Sequence, residues 1–77
     1  MPDLHTMHDT RNSYQDIITK GLDCVCRNDI RSAIITEARI EHLLRILAPV
    51  LKTREVIKME TNLYQMKESL TLLISLH

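Results

Sequence analysis

Three groups of side chains in this sequence have types and spacings that could do chemistry. His5, His8 and Asp9 recur at i, i+3 and i+4, which would set three metal ligands on one face of a helix. Structural zinc sites bring four ligands and catalytic ones hold three rigidly, and nothing downstream completes this set. It therefore reads as a polar terminus, with no metal expected. Cys24 and Cys26 offer thiols, but on a helix an i, i+2 pair projects about 200° apart and cannot readily bridge. Cys24 is expected to point away from the apolar stripe of its helix and Cys26 to lie at its edge. A nucleophilic thiol needs a positioned base and a depressed pKa, and neither cysteine has a clear activating neighbour in sequence apart from Arg27 beside Cys26. The third group is basic: Arg27, Arg31 and Arg45 could share one side of a straight helix and meet nucleic-acid phosphates.

Other chemistry is missing from the pattern. A single glycine rules out a Gly-rich phosphate cradle, and no His-Glu-x-x-His, Cys-x-x-Cys or Gly-x-Ser-x-Gly occurs. Carboxylates are scattered along helix surfaces, where they act as solubilising charge. The expectation is a protein that is not an enzyme, with no catalytic residues and no cofactor.

The elements that must position any site are helical. From Ser13, Tyr14, Ile17, Ile18, Gly21, Leu22 and Val25 form an amphipathic stripe that predicts a first helix over about 13–27, with 1–12 as a flexible arm. Gly21 lies inside that stripe, where it either admits the close approach of a neighbouring helix or breaks the helix. Asn28 and Asp29 punctuate the chain and can cap the next helix, over 30–48. There Ala33, Thr36, Ile40, Leu43 and Leu47 form one seam. Ile30, Ile34 and Ala38 form a second apolar patch, with Ile35 and Ile46 further round, a pattern that predicts a central helix covered on two sides. Glu41 and Arg45 stand at the i, i+4 spacing of a surface pair. Pro49 ends this helix in a short turn over 48–52, and Thr53 caps a third helix over 53–76, with Glu55 favourably placed near its positive end.

The third helix organises the chain. Val56, Met59, Leu63, Met66, Leu70 and Leu73 alternate steps of three and four, the spacing of a seam that packs on another helix. That other helix could belong to the same chain, a second copy or another protein. The uncharged run from Leu70 to Leu76 adds Leu72 and Leu76 opposite the seam, where they need cover.

Together these readings predict an all-α protein: an arm over 1–12, then a single small domain over 13–77. Its last two helices are expected to form an antiparallel hairpin, completed by oligomerisation or a partner. A chain of 77 residues buries a small share of its surface and gains from such completion. Ten basic and ten acidic residues cancel, which removes the footprint of a general nucleic-acid binder and favours association.

The functional expectation is a non-enzymatic helical protein–protein interaction module: an adaptor, regulator or dedicated chaperone. It would contact itself as a homodimer, or a helical partner, through Val56, Met59, Leu63, Met66, Leu70, Leu72, Leu73 and Leu76. The rival expectation is a small dimeric DNA-binding regulator, because Arg27 to Lys58 holds seven basic against four acidic residues. Arg27, Arg31 and Arg45 would then carry the contacts. No stretch reaches the ~20 apolar residues needed to span a bilayer and no signal peptide opens the chain, so a cytoplasmic location without membrane contact is expected.

Overall fold

The structure, a computed structural model, describes residues 4–77, with side chains from 7 onward. Three helices make it up: α1 (Leu4–Arg27), α2 (Ile30–Leu47) and α3 (Arg54–Ser75). Each buries one seam with alternating steps of three and four. On α2 and α3 the seams are the expected ones, Ala33, Thr36, Ile40, Leu43, Leu47 and Val56, Met59, Leu63, Met66, Leu70. All are buried together in one core with Ile17 and Cys24 of α1, and Leu73 packs against its edge. The seam of α3, whose partner the sequence left open, closes on the chain's own α1 and α2.

Helix α1 departs from expectation in three ways, with one cause. It is helical from Leu4, so the described part of the expected arm, 4–12, belongs to the helix. Its inner seam is Met7, Thr10, Tyr14, Ile17, Gly21, Cys24, of which Thr10, Ile17, Gly21 and Cys24 are buried. Leu22 and Val25, placed inward by the sequence reading, are exposed, and Cys24, placed outward, is 2% exposed. The buried line follows a strict 3.5-residue repeat, which keeps a seam facing its partners over many turns, and it does so through small or polar residues. A stripe drawn through the largest apolar side chains is rotated from it.

The helix ends are built from local chemistry. Asn28 stands at φ 58°, the left-handed conformation that commonly closes a helix. With it the Asp29 amide donates to the Cys24 carbonyl at 3.0 Å and the Asn28 amide to that of Val25 at 3.4 Å. Asp29 then caps α2, accepting from the Ser32 amide at 3.2 Å and the Ser32 hydroxyl at 2.9 Å. Helix α2 stops at Leu47 before Pro49, and Thr53 caps α3 by accepting from the Val56 amide at 3.3 Å. In the turn between them Lys52 Nζ donates to the Leu47 carbonyl at 2.8 Å, covering a terminal acceptor of α2.

Inter-helix pairs set the direction of packing. Asp16 meets Arg39 and Cys24 meets Thr36, so rising numbers on α1 meet falling numbers on α2. Glu37 meets Thr71 and Glu41 meets Lys67 in the same opposed sense between α2 and α3. Glu41 thus faces Lys67 of α3 rather than its expected partner Arg45. Along α1 and α3 numbers rise together, through Arg11 with Glu55 and Tyr14 with Asn62. Gly21 also sits on this contact: a Cβ there would lie 2.5 Å from Met66 Sδ and 2.8 Å from Met66 Cγ. The glycine thus admits a close approach rather than breaking the helix. The molecule is a rod of 43 × 17 × 17 Å.

Candidate interaction surface

Packing three seams inward leaves the backs of the helices in solvent, and two of those backs are apolar. The first belongs to α2. Its second patch, expected to be covered, is open at Ile34, 53% exposed, and at Ala38, with Ile30 half-buried, and Ile35 and Ile46 further round are 62% and 42% exposed. In a three-helix bundle each helix meets its two neighbours along one seam, so an apolar residue on the far side of the cylinder has nothing to pack on. With Ser13 and Ile17 of α1 these side chains line an open groove of about 670 Å³ between α1 and α2. Arg39 and His42 also line it, and Leu43 forms part of its floor.

The second back belongs to α3. Ile57, Tyr64, Leu72 and Leu76 are exposed there, Leu72 at 61% and Leu76 at 73%. A shallow depression of about 720 Å³ runs along this face, lined by residues of α3 alone, Thr61, Tyr64, Glu68 and Leu72 among them. Having no wall from a second helix, it is a face rather than a cleft.

The residues singled out from sequence divide between core and surface. Val56, Met59, Leu63, Met66 and Leu70 are core, Leu73 is half-buried, and only Leu72 and Leu76 of that group face solvent. Sequence reasoning missed Ile57 and Tyr64 as surface apolar residues, although their position opposite the seam was readable. Arg27, Arg31 and Arg45 are all exposed. Arg27 lies 3.6 Å from Asp23, while Arg31 and Arg45 have no ion pair among the described residues. Fourteen positions apart on one helix, they fall within about 40° of each other and roughly 21 Å along the axis.

The groups with chemical potential are placed as follows. Cys24 is buried with Sγ 3.8 Å from Thr36 Oγ1, and Cys26 is exposed; both are free thiols. The His5 side chain lies outside the described residues, so the His5, His8, Asp9 set is not placed as a whole; His8 Nε2 stands 3.3 Å from Asn12 Nδ2. Among the described residues no three His, Cys, Asp or Glu side chains gather to hold a metal ion, and no helix is long and apolar enough to cross a membrane.

Electrostatics at the surface are local. Arg11 donates to both Glu55 carboxylate oxygens, from Nε to Oε1 and from Nη2 to Oε2 at 3.0 Å. That hydrogen bond and the paired charge raise the Arg11 pKa, and the same bond holds the Glu55 carboxyl below its ordinary value. Asp29 is held low as well, first by the Ser32 amide and then by the Ser32 hydroxyl. Asp29 and Glu55 stand at the starts of α2 and α3, Arg11 ties α1 to α3, and none of the three lines the groove on α2.

Comparison with protein-family models, with curated proteins and with solved structures returns no match to this chain.

Proposed function

We propose that this chain is a small non-enzymatic interaction module, which pairs helix faces with a second copy of itself and with helical partners. The observation that carries this is the balance of apolar surface. Among the described residues ten large apolar side chains are exposed, seven of them on the backs of α2 and α3, against eleven hydrophobic residues in the buried core. Scattered single exposures are ordinary, whereas contiguous ones mark contact sites. In this reading α2 and α3 form an antiparallel hairpin on which α1 lies, and the bundle's outer faces do the binding. The free thiols are consistent with a reducing cytoplasm.

The back of α3 is suited to a second copy. Set antiparallel across a twofold axis near Tyr64 and Gln65, two α3 helices would put Ile57 opposite Leu72 of the other copy. Lys58 and Glu68 would then lie a turn apart, with opposite charge, twice over. Such an arrangement is self-complementary, as a twofold interface must be. The test is the solution mass of the wild type and of a Leu72→Asp/Leu76→Asp variant. The wild type should approach twice the 9.0 kDa monomer with rising concentration. The variant, changed only on the surface, should stay at monomer mass with unchanged helicity.

A second reading, DNA binding as a dimer, draws on the shared exposed face of Arg31 and Arg45. Between them that face presents Ile34, Ile35 and Ala38, which offer a phosphate backbone nothing. It requires duplex affinity that falls steeply with salt and weakens on reversal of Arg31 and Arg45. Salt-insensitive or undetectable duplex binding removes it.

A further inference from the structure

We infer that the outer face of α2 is a docking groove for an acidic amphipathic helix of a partner protein. The inference rests on the reading of the chain as an interaction module and assigns a second face with its own partner chemistry. Helix α2 carries two stripes with helix-pairing spacing. One is the buried seam. The other, Arg31, Ile35, Ala38, His42, Arg45, alternates steps of four and three along the opposite side. Ile34 and Ile46 widen it. The edge of α1 supplies a second wall through Ser13 and Ile17, so a partner helix would settle between two helices rather than on a ridge. At mid-stripe Ala38 is small, which lets a second backbone come close.

Charge selects the occupant. The lining of the groove contains no carboxylate. Two aspartates on the neighbouring flank of α1 are matched, Asp16 by Arg39 at 2.9 Å and Asp23 by Arg27 at 3.6 Å, while Asp9, one heptad earlier on that flank, makes no ion pair among the described residues. Arg31 and Arg45, at the two ends of the stripe, are exposed and make no ion pair among the described residues, although Arg31 lies within electrostatic reach of the capping Asp29 carboxylate. A second copy laid antiparallel about Ala38 would stack Arg31 on Arg45 at both ends, and a parallel copy would stack each arginine on itself. Like charges in contact suppress such a pairing. A helix with acidic residues about four turns apart and apolar residues at i, i+3, i+4 and i+7 between them answers both arginines and the isoleucines. An anionic bilayer would meet the arginines but leave the recessed Ile17 and Leu43 without contact.

The test uses the full chain and three labelled 18-residue amphipathic peptides. They share one leucine stripe and differ in carrying glutamate, glutamine or lysine beside it. By fluorescence anisotropy the glutamate peptide should bind at least tenfold more tightly than the other two. Ile35→Glu should weaken it at least tenfold, and Arg31→Glu/Arg45→Glu should reverse the preference in favour of the lysine peptide. All three positions are exposed, so helicity should not change. Equal affinity for the three peptides, no binding, or a charge reversal that leaves the preference intact would overturn the proposal. So would retention on phosphatidylglycerol vesicles without charge-selective peptide binding, which would assign the face to a membrane. The Leu72→Asp/Leu76→Asp variant separates the two claims, since it should lose self-association and keep the glutamate peptide. Dimerisation with a failed peptide series would strike down the groove alone.

Discussion

At residue scale, the fold depends on positions where a side chain's size or charge has little freedom. Gly21 is the sharpest case, because the missing Cβ admits the Met66 side chain. Adding a methyl there gains about 1 kcal/mol of helix propensity but forces overpacking that typically costs about 1–3 kcal/mol. Gly21→Ala should therefore destabilise the wild type by about 1 kcal/mol, and in a Met66→Ala background the same change should become stabilising. A denaturation double-mutant cycle reads this coupling, and additive effects would show that the two sites do not touch.

Asp29 gives a pH-dependent prediction. Its folded pKa is depressed by the Ser32 hydrogen bonds, so the stability it supplies is present above the unfolded value of about 3.9 and is lost as pH falls through the folded one. Glu55, held low by Arg11, acts in the same direction. The thermal midpoint should therefore drop on acidification below about pH 5. Asp29→Asn caps equally well but cannot titrate, so it should leave the neutral midpoint nearly unchanged and reduce the acid loss. An acid profile identical to wild type would contradict the assignment.

At element scale, most of the architecture was legible because two of the three helices announce themselves. The seams of α2 and α3 run mainly through Ile, Leu, Val and Met at strict spacing, with Ala33 and Thr36 the exceptions, Pro49 stops α2, and Asp29 and Thr53 are good caps. Helix α1 was harder to read because its inward line runs through Thr10, Gly21 and Cys24, residues whose apolar character is weak, while Leu22 and Val25 sit outside it. The spacing rule, followed from Ile17 back to Thr10 and Met7, would have found both the seam and the earlier start. The candidate surface was only half legible. Leu72 and Leu76 could be recognised as lying opposite a seam, but that the second patch of α2 stays open follows from there being no fourth helix to cover it.

Stability measurements separate seam from face on α3. Leu63→Ala should cost about 2–5 kcal/mol, the range for a large buried side chain, and Leu63→Asp should unfold the chain. Leu72→Ala should stay within about 0.5 kcal/mol, as surface changes do, when the monomer is measured at low concentration. Equal costs at the two positions would mean that α3 does not present the seam to the core.

At the scale of the whole molecule, three helices satisfy one another along single seams and leave α2 and α3 each with an apolar back. The rod shape follows from long helices aligned side by side, and it sets the exposed apolar side chains of each back along the length of its helix. A basic strip on α2 and a charge-balanced strip on α3 are not equivalent surfaces. In the function proposed above, the first repels its own copy and the second complements it, so that one chain holds a partner on one side and doubles itself on the other.

The most direct test of the account is therefore the mass in solution, followed by light scattering over a wide concentration series with helicity measured in parallel. The account predicts a fully helical chain whose mass rises from the 9.0 kDa monomer towards twice that value, and a Leu72→Asp/Leu76→Asp variant that remains monomeric. A wild type that stays helical and monomeric at every concentration would contradict self-pairing through α3. A variant that still dimerises would contradict the face assigned to it.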